Sequence, residues 1–241
     1  MDYGLQLFSV RDFTEKDLPG TLKKVADMGY KFVEFAGFFG YSDVQIKAML
    51  DENGLTAYST HCGTGMLLPE NIDETIRFHK GIGCSNFIIP GDDLSTRDKL
   101  DRFIGIVNAA LPKLKANGID LHYHNHSFEF LPNQDGIIVH SEIEKRTDIL
   151  FEIDTYWVYN AGNDPVATLE RLKNRIKVIH LKDGLKNGVP KSLGEGEAPV
   201  YDVLKKAKEL GFKMVVEAEN TDPDGISVVK RCIDWLKKVD G

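Results

Sequence analysis

The chain has 241 residues, 42% of them hydrophobic and 28% charged, with a formal net charge of −7. That is enough apolar material for one large α/β barrel or two small domains, and the acidic balance argues against a nucleic-acid surface, which needs a basic stripe. Cys62, Cys84 and Cys232 are too few and too scattered for a disulfide framework or a Cys-based zinc site. No apolar run reaches membrane-spanning length and no basic-then-apolar signal segment opens the chain, so a cytoplasmic protein with no membrane partner is expected.

Residues 3–10 read as a buried strand, and Leu18–Met28 as an amphipathic helix with Leu18, Leu22, Val25 and Met28 on one side and Gly29 as its cap. Phe32–Phe35 is a second apolar strand, and Ser42-Asp43 opens a helix with Val44, Ile46, Met49 and Leu50 inward that stops at Asn53-Gly54. Residues 55–60 predict the third strand, 71–81 the third helix, and Asn86–Ile89 the fourth strand, ended by Pro90-Gly91. A long helix over Arg97–Ala116 ends at Asn117-Gly118 and leads into the fifth strand, within residues 119–130. A less regular stretch precedes a short helix near 141–145, then come a strand over 149–153 and a helix over 164–173 with Pro165 in its first turn. Ile176–Leu181 is the seventh strand, 182–199 a long glycine-rich loop, Val200–Leu210 a helix capped by Gly211, 212–216 the eighth strand and 226–239 a closing helix.

Strand and helix thus alternate strictly, eight of each, and the strands are short apolar runs, as expected when both faces are covered. Alternation points to a parallel sheet, and eight repeats at this length favour closure into a single (β/α)8 TIM barrel over an open doubly wound sheet. The turn after the first strand, Ser9-Val10-Arg11-Asp12, carries no Gly-x-Gly-x-x-Gly, which removes the main support for a dinucleotide fold. No linker rich in Pro, Gly and Ser interrupts the chain, so residues 1–241 are read as one domain.

The stretch Ile-Asp-Leu-His-Tyr-His-Asn-His-Ser-Phe-Glu-Phe, residues 119–130, sets His122, His124, His126 and Glu129 close together. Alternate strand residues share a face, so the three histidines would point the same way if the strand persisted. In a barrel, active residues gather at the C-terminal ends of strands. Here those ends carry Glu34, His61, His124, His126, Glu129, Asp154, His180, Lys182, Glu217 and Glu219. Any one has an ordinary reading: Asp154 as a loop cap, Glu217 as an arginine's partner, His180 bonded to a carbonyl. Their shared register is what such readings do not explain. Carboxylates with imidazoles suit Mn²⁺, Mg²⁺, Co²⁺ or Zn²⁺, with Mn²⁺ the first choice, and a carboxylate or histidine beside such an ion serves as general base. Lys182 is read as stabilising an oxyanion, and Trp157, with Tyr156 and Tyr159, as an apolar wall for a sugar ring.

Seven stretches stand out together: Leu5-Gln6-Leu7-Phe8-Ser9-Val10-Arg11-Asp12, Gly29-Tyr30-Lys31-Phe32-Val33-Glu34-Phe35-Ala36-Gly37, Tyr123-His124-Asn125-His126-Ser127-Phe128-Glu129-Phe130, Asp154-Thr155-Tyr156-Trp157, Ile179-His180-Leu181-Lys182-Asp183, Leu193-Gly194-Glu195-Gly196 and Val216-Glu217. In these the chain resembles the xylose isomerase-like superfamily of sugar phosphate isomerases and epimerases, which also holds inosose dehydratases, keto-sugar 3-epimerases and the endonuclease IV branch. The resemblance implies one divalent ion held by Glu, Asp, His and Glu from strands five to eight. Asp154, His180 and Glu217 match the last three; Glu129 is taken for the first, with His124 the competing choice.

The catalytic groups implied are Glu129, Glu217, His124 and Lys182, and the substrate contacts Glu34, His61, His126 and Trp157. The activity expected is a metal-dependent sugar isomerase or epimerase that removes a proton beside a carbonyl through a metal-stabilised enediolate. The His-x-His start of strand five is similar to the branch with inosose dehydratases, so a lyase on a keto-sugar, keto-inositol or 3-keto-glycoside is the alternative. An abasic-site endonuclease, needing more histidines than the seven here and a basic face, and a non-catalytic sugar-binding subunit stand behind these. The partner expected is a small sugar or keto-sugar; the oligomeric state stays open, a homo-oligomer included.

Overall fold

The computed structural model describes residues 2–240. Eight parallel strands close into a barrel: β1 (Gly4–Gln6), β2 (Phe32–Phe35), β3 (Thr56–His61), β4 (Asn86–Ile89), β5 (Asp120–His124), β6 (Leu150–Asp154), β7 (Ile176–Leu181) and β8 (Lys213–Val216). Each pairs with its neighbours in sequence, and β1 seals against β8 through Gly4–Val215 and Leu5–Val216. Eight helices cover the outside: α1 (Leu18–Met28), α2 (Asp43–Asn53), α3 (Ile72–Ile82), α4 (Arg97–Ala116), α5 (Val139–Arg146), α6 (Pro165–Leu172), α7 (Val200–Leu210) and α8 (Gly225–Asp240). The (β/α)8 barrel read from the alternation is therefore the fold. None of the helices among the described residues is long and apolar enough to cross a membrane, and all three cysteines are free and buried.

The register follows from side-chain alternation. Outward residues such as Leu5, Val33, Phe87, Leu121, Phe151, Ile179 and Met214 join the helices in one apolar shell. Inward, Phe32, Ile88, Val178 and Val215 pack with Tyr58 into a small apolar floor. Gly4 makes that floor possible, since a Cβ there would stand 2.2 Å from a carbon of the Phe32 ring. Above the floor the inward positions turn polar: Gln6 and Glu34 on β1 and β2, His61 on β3, His124 on β5, Glu152 and Asp154 on β6, His180 on β7.

Two departures from the sequence reading bear on the site. The first strand, expected over residues 3–10, stops at Gln6. The Gln6 side chain accepts the Phe8 N–H at 3.0 Å and turns the chain into the 3-10 helix Leu7–Val10 and the short helix Arg11–Thr14. The loop over 182–199 is also ordered, around a two-stranded ribbon of Asp183–Gly184 with Pro190–Lys191. The buried Asp183 carboxylate accepts the backbone N–H groups of Gly184, Gly194, Gly196 and Ala198 at 2.8, 2.9, 3.0 and 3.2 Å. Gly196 permits this, because a Cβ there would meet Asp183 Oδ1 at 2.1 Å.

His140 on α5 lies sandwiched between Phe130 and Phe151, its ring centroid 4.6 Å from each. Burial pulls its imidazole down from 6.5 to about 4. As the pH falls the unfolded chain takes up this proton first, so the neutral ring's contribution is complete above about pH 6.5 and is lost toward pH 4. Urea unfolding of His140→Phe is expected to show a flatter stability profile across that window, by up to about 3 kcal/mol; profiles that stay parallel to wild type would contradict the assignment.

Candidate active site

Closure of the barrel brings together side chains far apart in the chain. The ligand atoms of His124, Asp154, His180 and Glu217, all buried, lie within 4.8 Å of one another. A second group, His61, His124, Glu152 and His180, converges as tightly, so two sets overlap at His124 and His180. We call the set with Asp154 and Glu217 outer and the set with His61 and Glu152 inner.

His180 is the hub. Its Nε2 is 2.6 Å from Glu34 Oε1 and 3.2 Å from Glu152 Oε2, while its Nδ1 is 3.2 Å from Glu217 Oε2 and 3.9 Å from Asp154 Oδ2. Glu152 Oε2 also faces His61 Nε2 at 2.8 Å and His124 Nδ1 at 3.2 Å. Asp154 ends β6 and caps the short helix Thr155–Asn160, with Oδ1 accepting the Trp157 N–H at 2.8 Å. Asn125 clasps the Asp154 backbone on both sides, accepting its N–H at 3.1 Å and donating to its carbonyl at 3.3 Å. Asp154 Oδ2 is left buried without a hydrogen bond, though Lys182 Nζ stands 3.4 Å away. Lys182 is fully buried, pairs with Glu217 at 2.8 Å and with Glu219, and lies 4.9 Å over the Trp157 ring.

The charges compensate locally. Burial opposes ionisation of Glu34 and Glu217, yet His61 and His180 hold the first well below the usual carboxylate range, and Lys182 and His180 hold the second there. Burial likewise opposes charge on His61 and His180, but the carboxylates around them prevail: His61 rises to about 9, and His180 well above its usual value. Glu152 is pushed up to about 8 by burial and by the charge of Glu34, and Asp154 to about 6 by burial, against the pull of Lys182. His124 and His126 stay neutral, first through burial and then through the cations nearby, which are His180 for His124 and Lys182 for His126.

Of the residues singled out in the sequence, Asp154, His180, Glu217 and His124 converge, and Glu129 does not join them. Its carboxylate accepts the Tyr123 hydroxyl and the His126 N–H, each at 2.8 Å, and burial pushes it up to about 7. The place expected for Glu129 is taken by His124. His122 points into the barrel one layer lower, facing Asn86 at 3.1 Å. His126 lies beyond the end of β5, so the three histidines do not form one strand face; its ring stacks on Phe128 with centroids 5.7 Å apart. Glu34, expected at the substrate, is wholly buried; the Trp157 ring stands 6.0 Å from His126. The sequence reading missed Glu152. Its signal was the alternation Phe151-Glu152-Ile153-Asp154, which turns both carboxylates inward once the apolar pair faces the helices.

A cavity of about 310 Å³ opens above this cluster, lined by Phe8, Ala36, His61, Pro90, His124, His126, Glu217 and Glu219. Two imidazoles and two carboxylates, with no thiolate and with one buried carboxylate oxygen free of hydrogen bonds, form a donor set that fits a divalent cation.

Residues 22–239 match the xylose isomerase-like TIM barrel family. Over 94% of the chain and 95% of the relative, the sequence is 23% identical to the 2-oxo-tetronate isomerase of Haemophilus influenzae. It is 29% identical to the inosose dehydratase of Mesomycoplasma hyopneumoniae over 52% of the chain and 49% of that protein. A crystal structure of a sugar phosphate isomerase/epimerase from Parabacteroides distasonis ATCC 8503 superposes with a TM-score of 0.85 at 28% identity, covering 98% of each chain. The polar crown at the C-terminal end of the barrel and the span of the sequence match lead to one conclusion: the chain belongs to the xylose isomerase-like TIM barrel family.

Proposed function

We propose that the protein is a sugar isomerase or epimerase that moves a proton beside a carbonyl, with one divalent ion held by His124, Asp154, His180 and Glu217. The observation that carries this reading is the convergence of those four buried donors, two of which, His124 and Glu217, line a cavity of about 310 Å³, within the size range of small-molecule sites. An ion bound there supplies positive charge where an enediolate oxygen develops its negative charge. Mn²⁺ is the first choice for this mixed carboxylate–imidazole set, with Mg²⁺, Co²⁺ and Zn²⁺ also compatible.

The remaining roles follow from access and charge. His126 lines the cavity and is held neutral, the state a general base requires, so it takes the proton from the carbon beside the carbonyl. Lys182, read from the sequence as an oxyanion stabiliser, lies beneath the cavity wall among Asp154, Glu217 and Glu219; its role is to hold those carboxylates ionised and in place. The cavity wall carries Glu217 and Glu219, and no lysine or arginine among the described residues lines it. Lys186, in the loop after β7, donates instead to the Tyr159 carbonyl beside a separate surface recess. This favours an uncharged sugar over a sugar phosphate.

A second reading, a lyase that removes the same proton and then expels water or a glycosidic group, is favoured by the imidazole at the end of β5 and by the similarity to an inosose dehydratase. NMR of candidate keto-sugars in D₂O separates the two. Deuterium entering the substrate without elimination, and lost with His126→Asn, is the expected outcome; loss of water would favour the lyase, and no exchange at all would contradict both. Purified protein incubated with Mn²⁺ is expected to hold one ion per chain, and His180→Gln to hold none. Metal-free Lys182→Met should lose about 3–5 kcal/mol of unfolding stability, as removal of one partner of a buried ion pair does, whereas a loss below about 1 kcal/mol, the scale of an exposed pair, would show that the lysine is not what balances these carboxylates.

A further inference from the structure

We infer that Glu34 is a positioning residue that turns His180 so that Nδ1, not Nε2, is the nitrogen offered to the ion, which places the ion in the outer donor set rather than the inner one. This rests on the divalent-ion reading above. The two nitrogens of an imidazole point in different directions, so the shared His180 presents Nε2 to Glu34 and Glu152 and Nδ1 to Glu217 and Asp154. Which nitrogen keeps its hydrogen decides which set can bind.

A chain of fixed donors makes that decision, and it begins at the backbone. The Phe8 N–H donates to Gln6 Oε1, which sets the orientation of the Gln6 amide and turns its NH₂ group toward Glu34, 2.6 Å from Oε1. Ser59 Oγ donates to the other oxygen, Oε2, at 2.5 Å. Both bonds hold Glu34 in one rotamer as an acceptor, with Oε1 2.6 Å from His180 Nε2. Gln6 and Ser59 donate to Glu34, so its oxygens face His180 as acceptors: Nε2 donates to Oε1, and Nδ1, directed at Glu217 and Asp154, is the nitrogen a cation takes when the ring gives up its other hydrogen. In the inner set Glu152 Oε2 faces nitrogens of His61, His124 and His180 at 2.8, 3.2 and 3.2 Å, and the His180 nitrogen turned toward it is the same Nε2 that Glu34 holds. Glu34 is 0% exposed and lies outside the cavity wall; its Oε1 also faces His61 Nε2 at 3.1 Å, but His180 is the member of the outer set that it touches. A carboxylate behind a ligating histidine fixes the ring and raises its basicity, and its loss typically weakens metal binding 10–100-fold.

The test uses the full chain loaded with Zn²⁺, which is diamagnetic, and labelled with ¹⁵N-histidine. Long-range ¹H–¹⁵N correlation should show His180 bound through Nδ1 with a hydrogen on Nε2. Glu34→Gln should bind Mn²⁺ about 10–100-fold more weakly in a competition titration, and Ser59→Ala, which keeps the charge but frees the rotamer, should fall between it and wild type. Zn²⁺ bound through Nε2, or unchanged Mn²⁺ affinity in Glu34→Gln, overturns the inference and leaves the proposed function standing. If Glu34→Gln fails to fold, the wild-type spectrum and Ser59→Ala decide. A wild-type chain that binds no ion removes the proposed metal site and this inference together.

Discussion

The rest of the structure depends on the cancellation of charge inside the upper barrel. Glu34, Glu152, Asp154, His180 and Lys182 are each fully buried, and Glu217 nearly so. Burying an unpaired carboxylate costs several kcal/mol, so the arrangement is tenable only because each acid faces an imidazole or the lysine. The compensation crosses the barrel: Glu34 from β2, Glu152 from β6 and Glu217 from the end of β8 all reach His180 on β7. No two neighbouring strands could supply it. Barrel closure and the polar crown are therefore one constraint, because the crown is balanced only when β1 has sealed against β8.

That constraint also separates what the sequence discloses from what it hides. Seven strands and the helices around them are legible, because a strand covered on both faces is a short apolar run and glycines such as Gly29 and Gly211 end the helices. The first strand is overread because residues 3–10 are mostly apolar, while its end is set by one polar side chain within them, Gln6, folding back on the Phe8 N–H. A lone glutamine in such a run does not by itself mark a turn.

The candidate site divides the same way. Asp154, His180 and Glu217 stand at strand ends, where register alone identifies them. Glu152 hides inside the run Leu150–Asp154, and its inward direction becomes visible only when Phe151 and Ile153 are seen against the helices. The distinction between Glu129 and His124 is not readable from spacing, since it depends on the Tyr123 hydroxyl and the His126 N–H drawing the Glu129 carboxylate aside. Lys182 reads in sequence as an oxyanion stabiliser at a strand end and is the buried counter-ion of three carboxylates in the fold.

A barrel of this kind hosts many chemistries, so the functional reading stands on the crown rather than on the architecture. Its central claim is that His124, Asp154, His180 and Glu217 share one cation. Anomalous diffraction from crystals grown with Mn²⁺ tests it most directly. A single strong peak within about 2–2.5 Å of one atom from each of the four side chains is the result this account predicts. A map with no peak in the barrel, or with its peak among His61, His124 and Glu152 instead, would contradict it.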